Sequence, residues 1–264
     1  MSSEQRAVAP DGTGLGFDVH PPRGTGPGEP LLLLAGQINA RVWWSTVRSS
    51  FDGYRTVAPD HAGTGTSDDA ADGDWSTRRF ARDVVAVLDA AGIDRAHVYG
   101  TSMGGRIAQW LAIDHPDRVG GLVLGCTTGG GSGAVPADPA VLQRLADPGG
   151  GPAELRRLMA GPEWTGPLPV LGDPGAGPRA RAGHRRASAR HDAWAALPAI
   201  TAPTLVLHGT ADELTPPGNG RLLAGRIPGA RFVAFEGARH AYFLEDRATD
   251  EVLRFLAAHP LAAA

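Results

Sequence analysis

Residues 97–113 read His97-Val98-Tyr99-Gly100-Thr101-Ser102-Met103-Gly104-Gly105-Arg106-Ile107-Ala108-Gln109-Trp110-Leu111-Ala112-Ile113. A short apolar run ends at Tyr99, passes through G-x-S-x-G, and enters a stretch of helical character from Ile107 to Ile113. The serine of such a turn sits so tightly that side chains two positions before and after it would clash, hence the flanking glycines. The turn lifts the Ser102 hydroxyl above a sheet and leaves a helix N-terminus beneath it, where free N–H groups favour negative charge. A lone G-x-S-x-G often marks nothing but a turn, but the strand-turn-helix setting makes Ser102 a candidate nucleophile.

A serine hydroxyl is a weak nucleophile at neutral pH and needs an adjacent base with a third group to orient it. Two later apolar runs end in suitable residues. Leu205 to His208 is followed by Gly209-Thr210-Ala211-Asp212, and Phe232 to Phe235 by Glu236-Gly237-Ala238-Arg239-His240. Both candidates fall just past the C-terminal ends of strands, the edge where open α/β sheets gather their sites. The chain order Ser102, Asp212, His240 is that of a nucleophile-elbow hydrolase. Glu213 is the weaker substitute for Asp212. Of the other histidines, His97 falls inside a strand, His61 in a loop, His208 on the strand before the acid, and His259 near the tail.

Outward from these motifs, apolar runs at 31–34, 56–58, 97–99, 122–124, 204–207 and 232–235 alternate with amphipathic segments. That is the rhythm of buried parallel strands joined by helices. A helix is expected from Ser76 to Ala91, with Phe80, Val84, Val87 and Leu88 on one face and Gly92 closing it. Residues 4–20 read as a hairpin around Asp11-Gly12. From 127 to 197 glycine and proline admit only short helices, one from Asp138-Pro139 through Val141, Leu142 and Leu145, another from Pro152 through Leu155, Leu158 and Met159. The expectation is one α/β domain over residues 1–264, a mostly parallel central sheet flanked by helices, with 127–197 inserted over the sheet as a small helical cap.

Composition narrows the chemistry. The 264 residues carry 25 basic and 28 acidic groups, a formal charge of −3, so there is no positive field to hold a nucleic acid. No lysine occurs, which excludes a Schiff-base lysine, a Ser-Lys dyad and a P-loop. Cys126 is the only cysteine, which rules out an intrachain disulfide and a thiolate metal cluster. It is expected to be an inert core residue. With no H-E-x-x-H, no signal-like start and no apolar stretch of about 18 residues, the sequence calls for no metal, no cofactor and no membrane, and for a cytoplasmic protein.

From about residue 30 to 258 the chain resembles the α/β-hydrolase superfamily, and within it the small cofactor-free members typified by 3-oxoadipate enol-lactonases, esterases and perhydrolase-type enzymes. The likeness rests on Gly100 to Gly105, Ala108-Gln109-Trp110-Leu111-Ala112 with His115-Pro116 after it, Thr204 to Asp212, and Gly237 to His240. It implies that Ala35-Gly36-Gln37 stands for the family's HG-x segment, so that the N–H of Gln37 joins the N–H of Met103 in an oxyanion hole. Ala35 replaces the usual histidine, and His61 replaces the arginine of a D-x-R-G-x-G-x-S stretch. Serine at 102 excludes epoxide hydrolase and haloalkane dehalogenase chemistry, which needs aspartate there.

The expected reaction is hydrolysis of a small-molecule ester or lactone through an acyl-enzyme. Carbon–carbon bond hydrolysis and perhydrolysis run on the same triad. A different class stays open, a non-hydrolytic catalyst or ligand-binding protein on this fold acting on a specialised natural product. Trp43 and Trp44 could wall the acyl site or belong to the core. Arg179, Arg181, Arg185, Arg186 and Arg190 could attract an anionic substrate, though a solvated helix face is the simpler reading. Gly129 to Gly133 reads as a flexible hinge into the insertion.

Overall fold

The computed structural model describes residues 4–146, 151–161 and 163–261. Eight strands form one sheet in the order β1-β2-β4-β3-β5-β6-β7-β8. These are β1 (Glu4–Val8), β2 (Gly14–His20), β3 (Pro30–Leu34), β4 (Arg55–Pro59), β5 (Ala96–Thr101), β6 (Val119–Gly125), β7 (Thr204–Gly209) and β8 (Arg231–Phe235). β1 and β2 are antiparallel around the turn at Gly12, whose φ is +87°, and β2 is antiparallel to β4. All later pairings are parallel. This is the mostly parallel α/β sheet read from the alternating apolar runs, each expected strand lying inside an observed one, and it has the form that the α/β-hydrolase resemblance implied.

The Leu31-Leu32-Leu33-Leu34 run shows why the central strands are apolar throughout. Alternate side chains point to opposite faces, and both faces are covered. Leu32 and Leu34 pack with helices α1 (Thr77–Ala90) and α2 (Met103–Asp114), through Phe80, Val84, Ile107 and Leu111. Leu31 and Leu33 pack on the other face with Trp44, Phe51, Tyr99 and the apolar side of the C-terminal helix. Truncating any of these four to alanine would cost roughly 2–5 kcal/mol. α1 is capped as its sequence requires, the Ser76 side chain accepting the Arg79 N–H at 3.1 Å, and Gly92 follows at φ +64°.

Between β6 and β7 the chain forms α3 (Pro139–Ala146), α4 (Gly151–Ala160) and α5 (Pro178–Ala189). The first two are the short helices expected. Asp138 caps α3 through the Ala140 N–H at 2.8 Å, but Leu142, one of the apolar residues expected along it, is 53% exposed. α6 (Gly218–Arg226) and α7 (Asp246–Ala257) complete the fold. The glycine-rich stretch from Gly129 to Gly133 is no hinge. Gly130 pairs with Asp192 in an isolated β-bridge, the Ala193 N–H donates to the Gly129 carbonyl at 2.9 Å, and a side chain on Gly130 would strike the His191 carbonyl. Glycine serves there for close packing and positive φ rather than for mobility.

Candidate active site

Ser102 links β5 to α2 with φ +55° and ψ −118°, a conformation that costs a non-glycine residue about 1–3 kcal/mol and persists only where its surroundings impose it. Here they do. The Ser102 N–H donates to the Gly125 carbonyl at 2.9 Å, and its own carbonyl accepts the Thr127 hydroxyl at 2.7 Å and the Gly105 N–H at 3.1 Å. A Cβ on Gly100 would lie 2.4 Å from the Gly104 carbonyl oxygen, and one on Gly104 would lie 2.1 Å from that of Leu34. The glycines two before and two after the serine are therefore steric requirements, as the motif implied.

Asp212 and His240 sit on neighbouring loops after β7 and β8. The loops are tied by Thr210 N–H to Phe235 O at 3.0 Å and Ala211 N–H to Ala238 O at 2.9 Å. His240 Nδ1 lies 2.8 Å from Asp212 Oδ2. The second oxygen, Oδ1, accepts the N–H groups of Leu214 and Thr215, each at 2.9 Å. Both side chains are buried. Burial opposes ionisation of Asp212, but the facing His240 charge and hydrogen bonds from His208 and His240 prevail, and its pKa falls to about 2. Burial likewise opposes charge on His240, yet the Asp212 carboxylate, helped by the Cys126 thiol, holds its pKa well above the ordinary histidine value. Among the described residues no hydrogen bond joins Ser102 Oγ to His240. Such contacts commonly tighten only when substrate is bound.

Two further residues, His208 and Cys126, bear on this pair. His208, set aside because it precedes the acid on its own strand, directs Nε2 at the Thr215 carbonyl at 2.7 Å and at Asp212 Oδ2 at 3.3 Å. Its place four residues before Asp212 is the only signal the sequence offers. Cys126 is buried as expected but not remote. It continues from β6 with φ +42°, and it contributes to the raised pKa of His240. Glu213 faces away, bound to Arg157 of α4 at 2.7 Å and also to Arg239.

Gly36 lies against Ser102. A methyl built on Gly36 would sit 3.4 Å from Ser102 Cβ and 3.8 Å from its Oγ. Residues 36–39 form a tight turn closed by the Asn39 N–H on the Gly36 carbonyl at 3.2 Å. In one trans peptide the carbonyl and the next N–H point in opposite directions, so this bond turns the Gln37 N–H away from the turn interior. Met103 is the first residue of α2 and its N–H has no intrahelical acceptor. The family departures lie directly beneath. His61 Nε2 is 3.2 Å from the Ala35 carbonyl, and its ring stacks on Phe80.

Trp43 and Trp44 are core residues, 2% and 0% exposed, packed on Phe243 and Tyr99, with the Trp43 indole N–H donating to the Thr101 hydroxyl at 3.2 Å. Arg179 and Arg181 are spent on backbone carbonyls of Ala70, Asp173 and Ala176, and Arg185, Arg186 and Arg190 are exposed. A cleft of about 410 Å³ beside Asp18, Arg41, Arg48 and Asp52 includes none of Ser102, Asp212 and His240. Two of its arginines pair with Asp18, Arg48 at 2.6 Å and Arg41 at 3.5 Å. Among the described residues, no group of three or more His, Cys, Asp or Glu side chains could hold a metal ion, and no helix is long and apolar enough to cross a membrane.

Comparison with known proteins agrees with this architecture. Residues 27–157 match the family model described as the alpha/beta hydrolase fold, and residues 175–247 match that of the serine aminopeptidases, S33. The rhodomycin D methylesterase DauP of Streptomyces sp. (strain C5) is 31% identical over an alignment covering 80% of this chain and 85% of that one. Some other curated relatives align over less, 41% of their own length in one case, and others over a similar span, 88% of their own length in another. Among solved structures, the esterase RhEst1 of Rhodococcus sp. ECU1013 superposes with a TM-score of 0.79 at 25% identity, covering 98% of this chain and all of that one. Est816, an N-acyl homoserine lactone degrading enzyme, superposes with a TM-score of 0.73 at 27% identity, covering 94% and 98%. The chain belongs to the α/β-hydrolase fold family.

Proposed function

We propose that this chain is a serine hydrolase that cleaves an ester or lactone of a small or medium-sized metabolite through an acyl-enzyme on Ser102. The observation that carries the reading is the buried His240–Asp212 pair at 2.8 Å on the strand edge that also bears a left-handed Ser102. His240 takes the hydroxyl proton as Ser102 attacks the carbonyl, then returns it to the leaving oxygen. Water attacks the acyl-enzyme with His240 again as base. Asp212 holds Nδ1 protonated, so Nε2 is the free lone pair. The N–H groups of Gln37 and Met103 receive the oxyanion, and each such donor is worth about 10²–10³ in rate. The 127–197 segment acts as a cap over the acyl site. An ester-cleaving relative at 31% identity and a lactone-degrading structural neighbour support the bond type.

The test is hydrolysis of a panel of p-nitrophenyl esters and simple lactones by the native protein beside Ser102→Ala. Turnover lost in the variant, with its fold intact, supports the serine mechanism. A folded native protein that turns over nothing on the panel and is not labelled by a serine-directed phosphonate overturns it.

A further inference from the structure

His184 of α5 lies far in sequence from every residue assigned a catalytic role, yet it is fully buried against the oxyanion loop. Its Nδ1 accepts the Ile38 N–H at 3.1 Å, and its Nε2 donates to the Ala62 carbonyl at 2.8 Å. A carbonyl can only accept, so Nε2 carries the proton and Nδ1 is left as the acceptor. Ile38 is the third residue of the 36–39 turn and stands at φ +59°. That position normally belongs to glycine or asparagine, and a β-branched residue there is held only by its partners.

Those partners come largely from the 127–197 segment. The Asp173 N–H donates to the Ile38 carbonyl at 2.6 Å, the Gly172 N–H donates to Asn39 Oδ1 at 2.7 Å, and Asn39 Nδ2 donates to the Gln37 carbonyl at 3.2 Å. The Gln37–Ile38 peptide is thus fixed at its oxygen by Asn39 and at its N–H by His184. We infer that His184 is a positioning residue for the oxyanion hole, holding the Gln37–Ile38 peptide so that the Gln37 N–H points at the reacting carbonyl. The inference rests on the serine-hydrolase reading above. It assigns the segment between β6 and β7 a part in building the hole as well as covering it.

The neutral form of His184 is the one required. Its ring is enclosed by Trp75, Phe80 and the neutral ring of His61, whose centroid is 6.5 Å away, with Asp69 the nearby carboxylate. Burial pushes its pKa down to about 4, so the acceptor lone pair is available at neutral pH.

Two substitutions separate positioning from packing. Asparagine can place Oδ1 where Nδ1 stands and keep the Ile38 acceptor. Glutamine can place Nε2 near the imidazole Nε2 and keep the Ala62 bond, but it leaves Ile38 N–H unmet. Expected for His184→Gln is a fall in kcat of about 10- to 100-fold with KM changed less than about threefold, the size of a displaced oxyanion donor. A boronic acid transition-state mimic should weaken in parallel, and backbone amide exchange over 36–40 should accelerate. His184→Asn should retain most of the native kcat and slow exchange. Equal losses in the two variants, or a loss confined to KM, would overturn the assignment. Amide exchange needs no turnover. Protection at Ile38 lost in the glutamine variant and kept in the asparagine variant would uphold the local geometry even if the native protein turned over no ester or lactone and took up no phosphonate, a result that would sink the hydrolase reading alone.

Discussion

Asp212 divides its two carboxylate oxygens between two tasks: Oδ2 meets His240 Nδ1 at 2.8 Å, while Oδ1 is held by the Leu214 and Thr215 N–H groups at 2.9 Å each. The carboxylate therefore cannot rotate without breaking two backbone bonds. Asparagine at 212 would keep the shape, but an amide nitrogen facing His240 would force the imidazole into the tautomer with its lone pair on Nδ1. Asp212→Asn is expected to lower kcat by about 10³–10⁴ with the far-UV circular dichroism unchanged. Glu213→Gln is the control. Its carboxylate faces Arg157 and Arg239 near the surface, so it should keep kcat within a few-fold and stability within about 1 kcal/mol.

The same pair sets the pH profile. With its pKa held well above the usual histidine value by Asp212, His240 is protonated at pH 6.5 and becomes the base only on the alkaline side. The acid limb of kcat/KM should have its midpoint above about 6.5, and in any Asp212→Asn activity that survives it should move downward. A limb at or below 6.5 in the native protein would contradict the charge pairing. For stability the sign is opposite to that for rate. The pair's contribution from His240 is complete below about 6.5 and is lost as pH rises through the raised folded value.

Three other histidines are buried uncharged and act in the reverse sense. Burial lowers His61 and His191 to about 3 and His184 to about 4. Each therefore stabilises the fold fully above about pH 6.5, and that contribution is lost as pH falls toward the folded value, because the unfolded chain binds the proton first. Melting curves should show Tm falling steadily from pH 6.5 to 4, with proton uptake on unfolding approaching about three. His184→Asn should flatten that dependence by about one proton. A Tm constant across this window would show that these rings are hydrated and charged.

The serine turn, the acid and the base were legible because their chemistry demands unusual residues at the ends of strands. Gly100 and Gly104 are glycine for a steric reason that holds in any sequence making this turn. Asp212 and His240 each follow an apolar run whose length fixes where the strand stops. The residues that support them carry no such signature. His208, Cys126 and His184 act through contacts made only after β7, β6 and α5 are placed, and nothing local to Ile38 announces that its N–H will be met 146 positions later. The Gly129 to Gly133 run misled because glycine signals mobility and close packing by the same letter.

Two glycines beside Ser102 should fail in different ways when given a methyl group. At Gly104 the new carbon would stand 2.1 Å from the Leu34 carbonyl oxygen, a backbone atom fixed within the sheet. Relief would require α2 to leave β3, so Gly104→Ala should be recovered mostly as insoluble or grossly destabilised protein. At Gly36 the nearest atoms are Asn39 Nδ2 at 3.3 Å and Ser102 Cβ at 3.4 Å, the first of them on a side chain that can give by a few tenths of an ångström. Gly36→Ala should fold with Tm within a few degrees of native. It should nonetheless lose about tenfold or more in kcat, because the Asn39 amide that braces the Gln37 carbonyl is what moves. Soluble yield, Tm and kcat on one ester resolve the two cases, and a Gly36→Ala enzyme of native kcat would show that the turn tolerates displacement of Asn39.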